Sequence, residues 1–210
     1  MMKKFMSVLL VVLIVLGLSC TAFAQTPHEV SAYPVIYEHG MLIGRGDGDF
    51  ALEALVTRAE MAQFVVNALN LKNVPGNMYY TDLEGHWALG SANLAHDMGA
   101  IPWDEKELQP ESAVTYKEAV EIIVTILGYA PKAKAMGEQG FMITATSLGI
   151  TSGISFAAHD FATRKDIATM LENAMDVPLM QQVGFGAHEE FQIMDGKNGV
   201  PFVTLKKNFQ

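Results

Sequence analysis

Three stretches of the chain repeat one hydrophobic pattern. Ala62, Val65, Val66 and Leu69 recur at helical spacing, as do Val120, Ile123, Val124 and Leu127, and again Ile167, Met170, Leu171 and Ala174. Apolar residues spread over much of each surface, which predicts central helices packed on several sides. Each run opens on a Thr followed three residues later by an acid: Thr57 and Glu60, Thr115 and Glu118, Thr163 and Asp166. That is the capping-box arrangement, strict in the first two and approximate with the shorter Asp166. The Thr hydroxyl accepts from an N–H of the first turn, while the acid reaches back to the cap and favours the positive helix end. Gly128 follows Leu127 as a helix stop.

A second landmark precedes each cap. Glu38-His39-Gly40, Asp97-Met98-Gly99 and Ser147-Leu148-Gly149 each read as a helix ending at a Gly. From that Gly to the capping Thr the spacing is 17, 16 and 14 residues. The unit is therefore helix, Gly stop, loop with a short extended piece, then capped helix, and it occurs three times. Its first helix runs loosely over Val30–His39 in the first copy. In the second, where it is best marked, it runs from Asp82 to Met98, and in the third it begins near Gly140-Phe141. The copies cover about 28–71, 79–128 and 140–176, and the fold class is mainly α. Residues 177–210 break the pattern. Asp195-Gly196-Lys197-Asn198-Gly199 is turn chemistry between two candidate strands, Glu190–Met194 and Val200–Leu205, so this extension reads as a small β-hairpin.

The N-terminus stands apart. Lys3 and Lys4 precede an apolar run from Phe5 to Leu18, and Ala22-Phe23-Ala24 is a small-x-small site, together the signature of a secretory signal peptide over 1–24. The run is short for a span of roughly 20 residues. A lesser reading is a lipid-modified Cys20 after Gly17-Leu18-Ser19. Cleavage after Ala24 would remove the single Cys, leaving a chain that folds on its core alone. Half the residues are hydrophobic, which fits a globular protein. Without Lys3 and Lys4, the 14 basic residues fall to 12 against 23 acidic ones. So acidic a chain suits nucleic acid poorly, because phosphate binding depends on Lys and Arg.

No catalytic or cofactor pattern emerges. Gly149-Ile150-Thr151-Ser152-Gly153 lacks the Ser of a nucleophile elbow. Asp47-Gly48-Asp49 opens like a calcium loop, but Arg58 occupies the twelfth position, where a Glu is needed. The histidines form no metal-ligand spacing, and His86 reads as a helix-start residue. No Gly-rich phosphate loop is present. The expectation is a protein that is not an enzyme and carries no cofactor or metal.

Several of these pieces resemble the S-layer homology domain family. They are Gly44-Arg45-Gly46-Asp47-Gly48-Asp49-Phe50 with Val56-Thr57-Arg58-Ala59-Glu60, and Tyr80-Thr81-Asp82 with Gly85-His86-Trp87-Ala88. To these add Val114-Thr115-Tyr116-Lys117-Glu118-Ala119, Leu127-Gly128-Tyr129, Leu148-Gly149-Ile150-Thr151-Ser152-Gly153 and Thr163-Arg164-Lys165-Asp166. The resemblance implies three tandem repeats in a pseudo-threefold helical bundle. It implies a secreted, cell-wall-bound protein that holds a secondary cell-wall polysaccharide, often pyruvylated, in grooves between repeats. Such a ligand suits a helix N-terminus with unfilled N–H groups and an Arg just after the cap.

Carried over by position, Arg58 and Arg164 are the anion-binding candidates, Trp87 a sugar-stacking candidate, and Gly46 and Gly153 the loop glycines of the grooves. The second copy departs from the pattern with Tyr116 in the Arg position. Lys117, its candidate substitute, points about 100° away on the helix. One or two of the three grooves are therefore expected to bind. Trp87 reads equally as core, Arg58 also as a solvated first-turn charge, and Trp103 as lining the groove or, the preferred reading, as a cover over the bundle. An alternative function is an envelope protein–protein interaction module whose repeats no longer bind glycan.

Overall fold

Each of the three capping threonines starts an eleven-residue helix, and these three helices organise the molecule. The computed structural model describes residues 32–42, 44, 49–72, 79–186 and 189–210; the expected signal peptide with Cys20, and also Gly46 and Asp47, lie outside them. In chain order the helices are α1 (Pro34–Glu38), α2 (Arg58–Ala68), α3 (Leu89–Asp97), α4 (Tyr116–Ile126), α5 (Ala130–Ala135), α6 (Gly140–Ser147) and α7 (Arg164–Ala174). Strands β1 (Met180–Gly184) and β2 (Glu190–Ile193) and a 3-10 turn at Leu205–Phe209 follow. The chain is mainly α, as the hydrophobic pattern predicts.

The caps form as read. Thr57 Oγ1 accepts from Glu60 N–H at 3.2 Å while Glu60 Oε2 accepts from Thr57 N–H at 3.1 Å. Thr115 and Glu118 repeat this at 3.3 and 2.8 Å. Asp166 is one methylene shorter. Thr163 Oγ1 still accepts from Asp166 N–H at 3.2 Å, and the Asp166 carboxylate takes the Thr163 hydroxyl at 2.7 Å.

The residue before each cap is extended and fully buried, and the three join in a closed ring. Val56 N–H donates to Ala162 O at 3.0 Å, Ala162 N–H to Val114 O at 2.8 Å, and Val114 N–H to Val56 O at 2.9 Å. A second layer of bonds reaches from each helix start into the loop of another segment. Arg58 and Ala59 donate to Ser112 and Pro110, Tyr116 and Lys117 to Asp160 and Ala158, and Arg164 and Lys165 to Ala54 and Leu52.

The remaining helices follow the same cyclic order. α3 packs on α2, α6 on α4, and α1 on α7. The last contact joins distant parts of the chain: the Glu172 carboxylate on α7 accepts Val35 N–H at 3.2 Å and Ile36 N–H at 3.0 Å, closing the start of α1. Met61, Val65, Ile122, Ile123, Leu127, Ile167 and Met170 fill the shared core.

Two expectations need correction. The run from Asp82 is helical only from Leu89; Asp82 instead accepts Leu108 N–H at 2.9 Å and Gln109 N–H at 2.7 Å, holding the loop ahead of α4. The C-terminal hairpin exists, but β2 pairs antiparallel with β1 and not with Val200–Leu205. That second stretch makes only isolated bridges, Asp195 with Phe202 and Pro178 with Thr204, before the 3-10 turn. The extension is also fixed to the core. Met180 N–H donates to Leu127 O at 2.9 Å, Tyr129 Oη donates to Pro178 O at 2.8 Å, and Leu205 is fully buried. Gly128 permits this junction: at φ +85° a Cβ would stand 1.9 Å from Met180 O. The short helix α5 was not anticipated.

Removing one cap tests the scheme. Thr115→Ala takes away the acceptor for Glu118 N–H and should lower stability by about 1 kcal/mol, read as a reduced urea midpoint with an unchanged slope.

Candidate functional site

The helix starts that frame the ring are linked by side chains as well as backbone. The first residue of each capped helix reaches the acid of the next cap, in the same cyclic order. Arg58 Nη2 lies 3.7 Å from Glu118 Oε1, and Arg164 Nη1 lies 3.1 Å from Glu60 Oε1. Tyr116, in the position the others give to Arg, donates its hydroxyl to Asp166 Oδ2. A neutral phenol thus does with a short carboxylate what a guanidinium does with a long one.

Each of these side chains also meets the residue seven before the partner Thr. Arg58 Nη1 donates to Leu108 O at 3.0 Å, Arg164 Nε donates to Phe50 O at 2.8 Å, and Tyr116 stacks on Phe156 at 4.4 Å. Trp103 lies beneath Arg58, 5.1 Å from ring centroid to guanidinium carbon, and donates Nε1–H to Glu118 Oε1 at 2.9 Å. It is 3 % exposed, a cover over the bundle.

These surroundings set the ionisation of the pairs. Burial disfavours the charged form of Glu118. The donors outweigh it: Thr115 N–H, the Trp103 indole, the Thr115 hydroxyl and the nearby Arg58 together hold the carboxyl below its ordinary range. Burial pushes the Tyr116 phenol up, and its bond to Asp166 pushes it further, so it stays a donor at neutral pH.

The expectation that these helix starts offer unfilled N–H groups to an anion is overturned. The first two N–H groups of each capped helix bond to loop carbonyls, and the third bonds to its own Thr hydroxyl. The positive ends of α2, α4 and α7 therefore serve the fold.

Open space lies beside them, along one face of α2. A cleft of about 700 Å³ has Thr57, Glu60, Gln63, Phe64 and Asn67 as its floor. Gly44, Ala54, Leu55, Trp87, Glu111 and Arg164 complete its lining. Gln63 Nε2 donates to Asn67 Oδ1 at 2.7 Å, setting two amides side by side. Trp87 is 58 % exposed, so its indole stands in solvent at the rim. His86 orients this corner: its Nδ1 accepts Ala88 N–H at 3.2 Å, and its Nε2 lies 3.4 Å from Glu111 Oε1.

Of the residues singled out in the sequence, Trp87 and Arg164 line this cleft, and Arg164 is almost wholly buried there. Arg58 is turned into the junction with Glu118 and Trp103. Lys117 is exposed and borders a separate small recess on α4. Gly153 is exposed in the loop after α6, at φ +82°, and borders neither space. Gly46 lies outside the described residues. Gln63, Asn67, Leu55 and Glu111 were missed. The polar positions 57, 60, 63 and 67 along an otherwise apolar helix were the available signal for the first two.

No family model matches the chain. It is similar to the middle cell wall protein of Brevibacillus brevis, 36% identical over 160 residues, covering 73% of this chain and 15% of that protein. It is similar to a surface layer protein of Brevibacillus choshinensis, 33% identical over 163 residues, covering 74% of this chain and 14% of that protein. A cell surface protein of Thermoanaerobacter kivui is 27% identical over 199 residues, covering 87% of this chain and 26% of that protein. The chain thus spans about one seventh of the length of the first two relatives.

Two outcomes follow from the paired helix starts. Arg164→Ala strands Glu60 in a buried setting and should cost about 3 kcal/mol or more, measured by chemical denaturation. Glu118 has a lowered folded-state value, so the stability it adds is complete above the ordinary carboxylate range and lost as pH falls through that lowered value. Denaturation midpoints followed from neutral to acid pH should therefore drop less in Glu118→Gln than in the parent.

Proposed function

We propose that this chain attaches non-covalently to the bacterial cell wall by holding a secondary cell-wall polysaccharide, as three tandem S-layer homology repeats closed into one unit. The observation that carries the reading is the α2 cleft. An exposed indole suits the apolar face of a sugar ring, and the neighbouring amides and carboxylates suit its hydroxyls. The cyclic order of caps, ring bonds and outer helices supports a three-repeat unit. The relatives, by name cell-wall and surface-layer proteins, support a role at the cell surface. Arg164 acts as a positioning residue here, holding Glu60 at the cleft base.

One observation favours a second reading, an envelope protein partner. The C-terminal hairpin exposes Val183, Phe185 and Ile193, with Phe185 at 74 %.

Co-sedimentation with protein-free sacculi separates the two. The protein should pellet with intact sacculi and stay in solution once the secondary polymer has been chemically stripped from them. No pelleting with intact sacculi would leave the protein-partner reading in its place, and pelleting with stripped sacculi would move the ligand to peptidoglycan.

A further inference from the structure

We infer that only one of the three related helix faces accepts glycan, the face of α2, and that α4 and α7 have theirs closed by the chain itself. The inference rests on the glycan-binding reading above and adds to it a single site with named contact residues. The three faces can be matched position by position. Gln63, Glu121 and Thr169 each stand six residues after their capping Thr, and Glu111 and His159 each stand four before theirs.

On α2 the face is open. The cleft holds about 700 Å³, and Trp87 stands at its rim ahead of α3, the helix that packs on α2. The matching face of α4 leaves only about 70 Å³. There Phe141 and Met142 of α6 press in, and Glu138 and Gln139, at the start of α6, stand where Trp87 stands at the start of α3. The recess has Glu121 and Glu138 against Lys117 and His159, and no indole borders it. A sugar ring would find neither the space nor a flat apolar surface.

The face of α7 is covered. Tyr33 is buried against it, with its hydroxyl 3.4 Å from Thr169 Oγ1, the atom of α7 that matches the Gln63 amide. α1 also packs on α7, and Glu172 holds its first N–H groups at 3.2 and 3.0 Å. Asn173 is engaged as well, donating to Ile150 O and Ser152 O at 3.0 Å each. The space beside this face is thus taken by Tyr33 and α1.

The two tryptophans supply a direct readout. Trp87 is 58 % exposed and Trp103 3 %, so acrylamide quenching of the parent protein reports almost entirely on Trp87. The probe is short fragments of secondary polymer released from sacculi by mild acid. Saturating fragments should suppress quenching, and calorimetry should return one site per chain. Trp87→Ala should weaken fragment binding roughly tenfold. The paired Glu138→Ala and His159→Ala changes, on the α4 recess, should leave affinity and stoichiometry as they were.

Binding at two or more sites per chain overturns the single-site inference, as does Trp87 remaining fully quenchable in the bound state. Either result leaves wall attachment standing. Absence of fragment binding together with absence of pelleting removes the underlying reading instead.

Discussion

Three backbone hydrogen bonds at the centre of the bundle constrain everything around them. Val56, Val114 and Ala162 donate and accept in a closed circle, and each stands immediately before a capping Thr. Closing that circle fixes where α2, α4 and α7 begin. Their first-turn N–H groups then face loop carbonyls from another segment, and their first side chains face the acid of the next cap. Cap, ring and side-chain pair are three layers of one junction, repeated around the circle. Loss of any layer exposes buried polar groups in the other two, so the three layers hold the loops in place together.

This arrangement changes how the helix starts should be read. A capped helix start followed by Arg invites the idea of an anion site. In this molecule the partial charge of the helix end and the guanidinium both work inward. Tyr116 makes the point from the opposite direction: it fills the Arg position without a charge and donates its hydroxyl to Asp166. Beside them, the flank of α2 borders a cleft lined by an indole, two amides and carboxylates.

What was legible in the sequence was what is encoded locally. Thr-to-acid spacing, the apolar period of three helices and Gly128 as a stop are short-range signals, and each appears in the structure where the chain places it. The hairpin was half legible. Asp195–Gly199 is real turn chemistry, yet Met180–Gly184, with its paired glutamines and no alternation, gave no strand signal and became the partner of β2 by being anchored at Leu127. The cleft was the least legible part. Its floor comes from α2, but Trp87, Glu111 and Arg164 arrive from three other places, and no one-dimensional spacing records that meeting. The inward turn of Arg58 and Arg164 was hidden for the same reason, since the partner of each lies in a different segment.

The contact between Glu172 and the start of α1 has a consequence in time. A ribosome delivers residues 35 and 36 long before residue 172, so α1 must wait, without its partner, until nearly the whole helical part of the chain has emerged. The ring waits too, since Ala162 both donates to it and accepts from it. The contacts that close the circle thus join segments separated by most of the helical part of the chain, the kind of non-local pairing that slows folding.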